Sequence, residues 1–162
     1  MTIAIGDRLP ETTLRYLGSD GPAEVSTSAL TSGKTIVLFG LPGAFTGTCT
    51  SAHLPSFMRT REAFKDKGVD DVICVSVNDI FVMDAWSKST GAGEAGITMR
   101  CDPQSELARA LGLDFDAPPP GLIGRMKRFA MVVKDGTVTH LNVEENPGVC
   151  ELSAGETILD LL

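Results

Sequence analysis

The stretch TIVLFGLPGAFTGTCTSAHLPSF, residues 35–57, runs from an unbroken apolar segment through a loop crowded with Pro and Gly into the start of a helix. Apolar residues without alternation, bounded by turn residues, are the pattern of a strand buried on both faces of a sheet. The helix is expected from about 48 to 67, where Lys65, Lys67 and Gly68 form a stop signal. VDDVICVSVN (69–78) is a second buried strand, so 35–78 reads as one strand–helix–strand unit with a right-handed crossover. Beyond it, Asn78 is placed to cap a helix through DIFVMDAWSKS, and Gly91 to Gly96 form a flexible connection. Asp102 and Pro103 read as N-cap and first helical position of PQSELARAL, with Gly112 as its stop. FDAPPPGLIGRMK (115–127) is a loop by composition, and FAMVVKDGTVTHLNV (129–143) is a hairpin turning at Asp135-Gly136. Ser153 and Glu156 suggest a capping box for a last helix, ETILDLL. The sum is an α/β fold: a central mixed sheet flanked by helices, closed by a C-terminal β-hairpin and helix.

Length and composition narrow the function. The 162 residues fit one domain spanning 1–162, and the hydrophobic and charged fractions of 43% and 22% are those of a soluble globular chain. A net charge of −7, with no run rich in Lys or Arg, argues against a nucleic-acid partner. No apolar run approaches the roughly 18 residues a membrane span needs, and MTIAIGDRLPETTL lacks the pattern of a signal peptide. A cytoplasmic protein with reduced thiols is expected.

Cys49, Cys74, Cys101 and Cys150 are spaced widely, with no CxxC among them, which disfavours a zinc ribbon or a dithiol redox motif. Only Cys49 sits at a helix start, after Gly47 and Thr48 and beyond the carboxyl end of the first core strand. Open α/β sheets bind ligands at that edge. A thiol with an ordinary pKa of about 8.5 is mostly protonated at neutral pH, and only the thiolate is a good nucleophile. The unpaired N–H groups and positive dipole end of a helix start favour the charged form. Thr46, three residues before Cys49, is within reach of the sulfur or of an atom bound to it. Pro42 and Gly43 fix the loop and can wall the site. The same residues also suit a plain turn and cap around an inert cysteine, and spacing alone leaves both readings open.

The motif Pro42-x-x-x-Thr46-x-x-Cys49 resembles the active-site signature of the peroxiredoxins, thiol peroxidases on a thioredoxin-like fold. The fuller string PGAFTGTCTSAHLP is similar to the type II, peroxiredoxin-5-like subfamily. So are VSVND (75–79), the FVMDAW that follows, RFAMVV (128–133) and NVEE (142–145), in the same order. Gly47 is a departure, since the family usually has Pro there. The resemblance implies that Cys49 is the peroxidatic cysteine, that Thr46 hydrogen-bonds peroxide and thiolate, and that Pro42 shields the site. It also singles out Arg128, directly before FAMVV, to stabilise thiolate and peroxide. By sequence alone the cluster Arg125, Lys127, Arg128 reads as a solvated strand edge. His53 and Gly43 are candidate walls of the site, His53 otherwise a plain surface histidine; a Cys49–His53 metal pair has too few ligands.

The resemblance further implies reduction of hydrogen peroxide and alkyl hydroperoxides through a Cys49 sulfenic acid, without metal, flavin or haem. Re-reduction falls to glutathione, glutaredoxin or thioredoxin, and a homodimer is expected. Cys74 matches a second cysteine of plant-like members, while its apolar surroundings suit a packed core thiol. Cys150, in a loop after Asn146-Pro147-Gly148, is expected to be accessible and lies near the resolving cysteine of some animal members. An external thiol is the preferred resolving group, then Cys150, then Cys74. Pro55 cannot donate to the carbonyl of Ser51, so the turns around Cys49 are loosely tied. A non-catalytic redox sensor or partner-binding module on the same fold is the alternative. A disulfide oxidoreductase is disfavoured, because Thr46 stands where a CxxC would have its first cysteine.

Overall fold

A computed structural model describes residues 1–162. Its strands are β1 (Thr13–Gly18), β2 (Gly21–Ser26), β3 (Thr35–Leu41), β4 (Asp71–Ser76), β5 (Ile97–Cys101), β6 (Asp114–Ala117), β7 (Leu122–Met126), β8 (Phe129–Lys134) and β9 (Thr137–Val143). The helices are α1 (Thr27–Thr31), α2 (Leu54–Asp66), α3 (Ile80–Thr90), α4 (Glu106–Leu111) and α5 (Gly155–Leu159), and a π-helical turn, Cys49–His53, precedes α2. Seven strands form one mixed sheet in the order β2-β1-β5-β4-β3-β8-β9, and β6 pairs with β7 in a separate ribbon. No helix is long and apolar enough to cross a membrane.

The central strands are buried on both faces, as their unbroken apolar runs require. Val37, Phe39 and Leu41 of β3 face Phe57 and Phe64 of α2, Trp86 of α3 and Ile158 of α5. Ile36 and Leu38 point the other way, into a second core with Leu107 and Leu111 of α4. Parallel pairing of β3 with β4 and antiparallel pairing of β3 with β8 set the register that matters most. Gly40 lies opposite Phe129, and a methyl group at Gly40 would collide with that ring. The fit puts Arg128, one residue before β8, at the sheet edge where β3 releases the chain into the Pro42–Cys49 loop.

Several local expectations are corrected. Residues 115–127 are not a loop: β6 and β7 form a hairpin, with the Pro-rich turn between them. Asp79 rather than Asn78 caps α3, its Oδ1 accepting from the N–H groups of Phe81 and Val82, both at 2.9 Å. Asp102 reaches forward to the N–H groups of Leu107 and Ala108, but α4 starts only at Glu106. Ser153 turns its hydroxyl toward Glu144 and Glu156 pairs with Arg59, so no capping box forms at α5. Gly112 does end α4, in the left-handed conformation.

Candidate active site

Cys49 opens the π-helical turn and is fully buried. The turn is one residue wider than an α-turn, with the Leu54 N–H donating to the Cys49 carbonyl. Pro55 lies in the first turn of α2, where its missing N–H and its ring oppose a regular bond to the Ser51 carbonyl. Trp86 ties the turn to α3, its Nε1 donating to Thr50 Oγ1 at 3.1 Å.

Arg128 lies beside the thiol. Its Nη2 donates to Cys49 Sγ at 3.3 Å and to the Pro147 carbonyl at 2.8 Å, and Nε also donates to Pro147 at 3.2 Å. Nη1 bonds His53 Nδ1 at 3.0 Å. Since a guanidinium only donates, Nδ1 is the acceptor, and the proton of a neutral ring sits on Nε2, which faces the Ser153 carbonyl at 3.1 Å. Burial first, and the Arg128 charge second, lower the His53 pKa from 6.5 to about 3. His53 is therefore a neutral acceptor, fully buried, rather than a surface residue. Arg128 is only 1% exposed, which excludes the solvated-edge reading, and it has no carboxylate within ion-pair distance. Charged side chains are rarely buried unpaired. The sulfur of Cys49 is the group next to this guanidinium that can become an anion.

The loop before Cys49 is held from two sides. Thr46 Oγ1 donates to the Gly43 carbonyl at 2.7 Å, which commits its hydrogen and leaves the oxygen as an acceptor. The Ala44 N–H donates to Asn78 Oδ1 at 2.9 Å, and the Ser76 hydroxyl donates to the same oxygen at 2.7 Å. Sequence reasoning gave Asn78 a capping role and missed this support for the loop. Its position at the carboxyl end of the neighbouring parallel strand was the available signal. Pro42 and Gly43 are both buried, as walls would be. A cavity of about 280 Å³ opens above the site, between Pro42, Thr46, Arg128 and Pro147 on one side and Phe115 and Leu122 of the β6–β7 hairpin on the other.

The other thiols have different settings. Cys74 is fully buried in β4 opposite Phe39, and burial raises its pKa well above the ordinary value. Cys101 is also buried and pushed up to about 12, chiefly by desolvation. Cys150 is half-buried rather than fully accessible; burial raises its pKa, against the opposing pull of Arg128. No cluster of three or more His, Cys, Asp or Glu side chains is placed to hold a metal ion.

The profile of the Redoxin family matches residues 4–159. The chain is 46% identical to Peroxiredoxin-2E-2, chloroplastic, of Oryza sativa subsp. japonica, over 99% of this chain and 73% of that protein. Peroxiredoxin-2C of the same plant is 43% identical, covering 99% of this chain and 98% of the relative. Among solved structures, reduced Prx3 in complex with H2O2 from Vibrio vulnificus superposes with a TM-score of 0.92 at 43% identity, over 99% of both chains.

Proposed function

The chain belongs to the Redoxin family and is a type II peroxiredoxin, a thiol-dependent peroxidase, and on that premise we propose that Cys49 is its peroxidatic thiol, served by Thr46, Arg128 and Pro42. The observation that carries this reading is the buried guanidinium of Arg128, without a carboxylate and 3.3 Å from the Cys49 sulfur. The thiolate attacks the terminal oxygen of the hydroperoxide. An S–O bond forms as the O–O bond breaks, and the leaving oxygen takes a proton to depart as water or an alcohol. Thr46, its own hydrogen spent on Gly43, accepts from the hydroperoxide O–H and aims it. Of the five N–H groups of Arg128, Nε, both on Nη2 and one on Nη1 have protein partners, which leaves one for the oxygens. Donors preset where charge arrives lower the barrier without reorganising. Pro42 helps keep water from the sulfur.

Cys49 ends as sulfenic acid, which condenses with a thiol to a disulfide and releases water. A second thiol then frees Cys49. We take the reductant to be external, glutathione with glutaredoxin or thioredoxin, because Cys74 is sealed in the sheet and Cys150 is half-covered. Hydrogen peroxide and small alkyl hydroperoxides fit the cavity, and the Vibrio protein's peroxide complex is consistent with the former. A homodimer would give cover to Phe45 and Phe81, which stand 58% and 66% exposed. The test is Arg128→Lys, which keeps a charge but loses the fork of donors. Single-turnover oxidation of Cys49 by hydrogen peroxide should slow by roughly a hundredfold, the scale of one lost oxyanion donor. An unchanged rate would show that Arg128 takes no part.

A further inference from the structure

The β6–β7 hairpin supplies one wall of the cavity; its base is anchored by the buried Met126 against Gly40, while its tip lies over the Pro42–Thr46 loop with few polar ties. Within its own half the hairpin is well tied. The Lys127 N–H donates to the Leu113 carbonyl at 2.7 Å, the Gly124 N–H to Asp116 Oδ1 at 2.6 Å, and the Ser105 hydroxyl to the Gly124 carbonyl. Towards the loop that carries Pro42 and Thr46 there is one hydrogen bond, from Arg125 Nη1 to the Pro42 carbonyl at 2.9 Å. The loop is shaped to receive it. A methyl group at Gly43 would collide with that same Nη1, while its other neighbours, Asn78 Oδ1 and Thr46 Cγ2, would lie at ordinary contact distances of 3.5 and 3.6 Å. Arg125 has no acidic partner and is half-buried, so neither an ion pair nor free solvation accounts for its pose.

We infer that Arg125 is a specificity-determining clamp: it fixes the apolar hairpin wall, Phe115 and Leu122, over the peroxide cavity and so sets the preference for hydroperoxides carrying an apolar tail. The inference rests on the peroxidase reading above. Arg125 does not touch the Cys49 sulfur, so it positions the wall rather than the reacting atoms. Hydrogen peroxide has no tail to lose contact with the wall. An organic hydroperoxide does, and each apolar contact of that kind carries roughly tenfold in selectivity.

The experiment compares single-turnover oxidation of reduced enzyme by hydrogen peroxide and by cumene hydroperoxide, followed through loss of the Cys49 thiol. Arg125→Met keeps an unbranched apolar stem without the donor. It should lower the ratio of cumene hydroperoxide to hydrogen peroxide rate constants by roughly tenfold or more. Gly43→Ala, which drives the guanidinium off Pro42 from the other side, should shift the ratio in the same direction, and Arg125→Lys should restore part of it. If both peroxides slow equally, Arg125 acts on the reacting atoms and the clamp is wrong. If the ratio stays at the wild-type value in both variants, the wall does not select substrate and the inference fails. A wild-type enzyme oxidised by neither peroxide would refute the peroxidase reading instead.

Discussion

At the scale of the residue, the site turns on a buried cation held by neutral groups. Arg128 is oriented by the Pro147 carbonyl and by the unprotonated Nδ1 of His53, neither of which cancels its charge. A carboxylate in place of His53 would orient the guanidinium equally well, but would compete with the thiolate for it. Neutrality has a consequence for stability. The His53 pKa of about 3 in the fold lies below its ordinary 6.5, so between those values the unfolded chain binds a proton that the native state refuses. The contribution is complete above pH 6.5 and is lost as pH falls towards 3, at up to about 1.4 kcal/mol per pH unit. His53→Gln keeps a neutral acceptor and cannot titrate. Urea unfolding from pH 7 down to pH 4 should therefore show a shallower loss of stability in the variant than in the parent protein. Parallel curves would mean that His53 is already protonated in the folded protein, and the tautomer assigned from its two bonds would be wrong.

At the scale of the element, the π-helical turn is the part built to move. The Cys49 carbonyl is bonded by the N–H of Leu54, five residues on, in place of the α-helical partner, and Pro55 lacks the donor that a regular bond to Ser51 would need. Cys49 is fully buried, so reduction of its sulfenic acid by a thiol far larger than a peroxide is expected to require this turn to open. Pro55→Ala restores the missing donor. Thermal stability should rise slightly, and reduction of the sulfenic acid by an added thiol should slow several-fold, while oxidation by peroxide changes less. Equal reduction rates would place the opening elsewhere. The spacing of Pro42, Thr46 and Cys49 was legible because strand, loop and helix start are local, each with its own punctuation. The β6–β7 hairpin was not, because its strands are short, half-exposed and separated by Pro-Pro-Pro-Gly, a composition that reads as loop. The β1–β2 hairpin went unread too, although Asp20-Gly21 carries the same turn signal as Asp135-Gly136.

At the scale of the whole molecule, the sheet register brings together residues that lie far apart in the sequence. Arg128 reaches Cys49 across 79 positions because β8 is antiparallel to β3 and ends its pairing at Gly40. The segment from Glu144 to Ser153 then closes over the site. Glu144 accepts from the N–H groups of Glu151 and Leu152, and Thr48, Arg128 and His53 bond the carbonyls of Gly148, Pro147 and Ser153. No local pattern announces such ties, which is why His53 read from sequence as a wall or a surface residue, and Ser153 as a cap. The same architecture separates the four thiols, with Cys49 beside the cation, Cys74 and Cys101 sealed in strands, and Cys150 in the closing segment. Whether Cys49 alone meets peroxide is decided by mass spectrometry of the reduced protein after one equivalent of hydrogen peroxide, with peptide mapping of all four cysteines. One added oxygen is expected on the Cys49 peptide, replaced by a glutathione adduct on the same residue when glutathione is present. Oxygen on Cys74, Cys101 or Cys150 with Cys49 unmodified would contradict the peroxidatic role of Cys49.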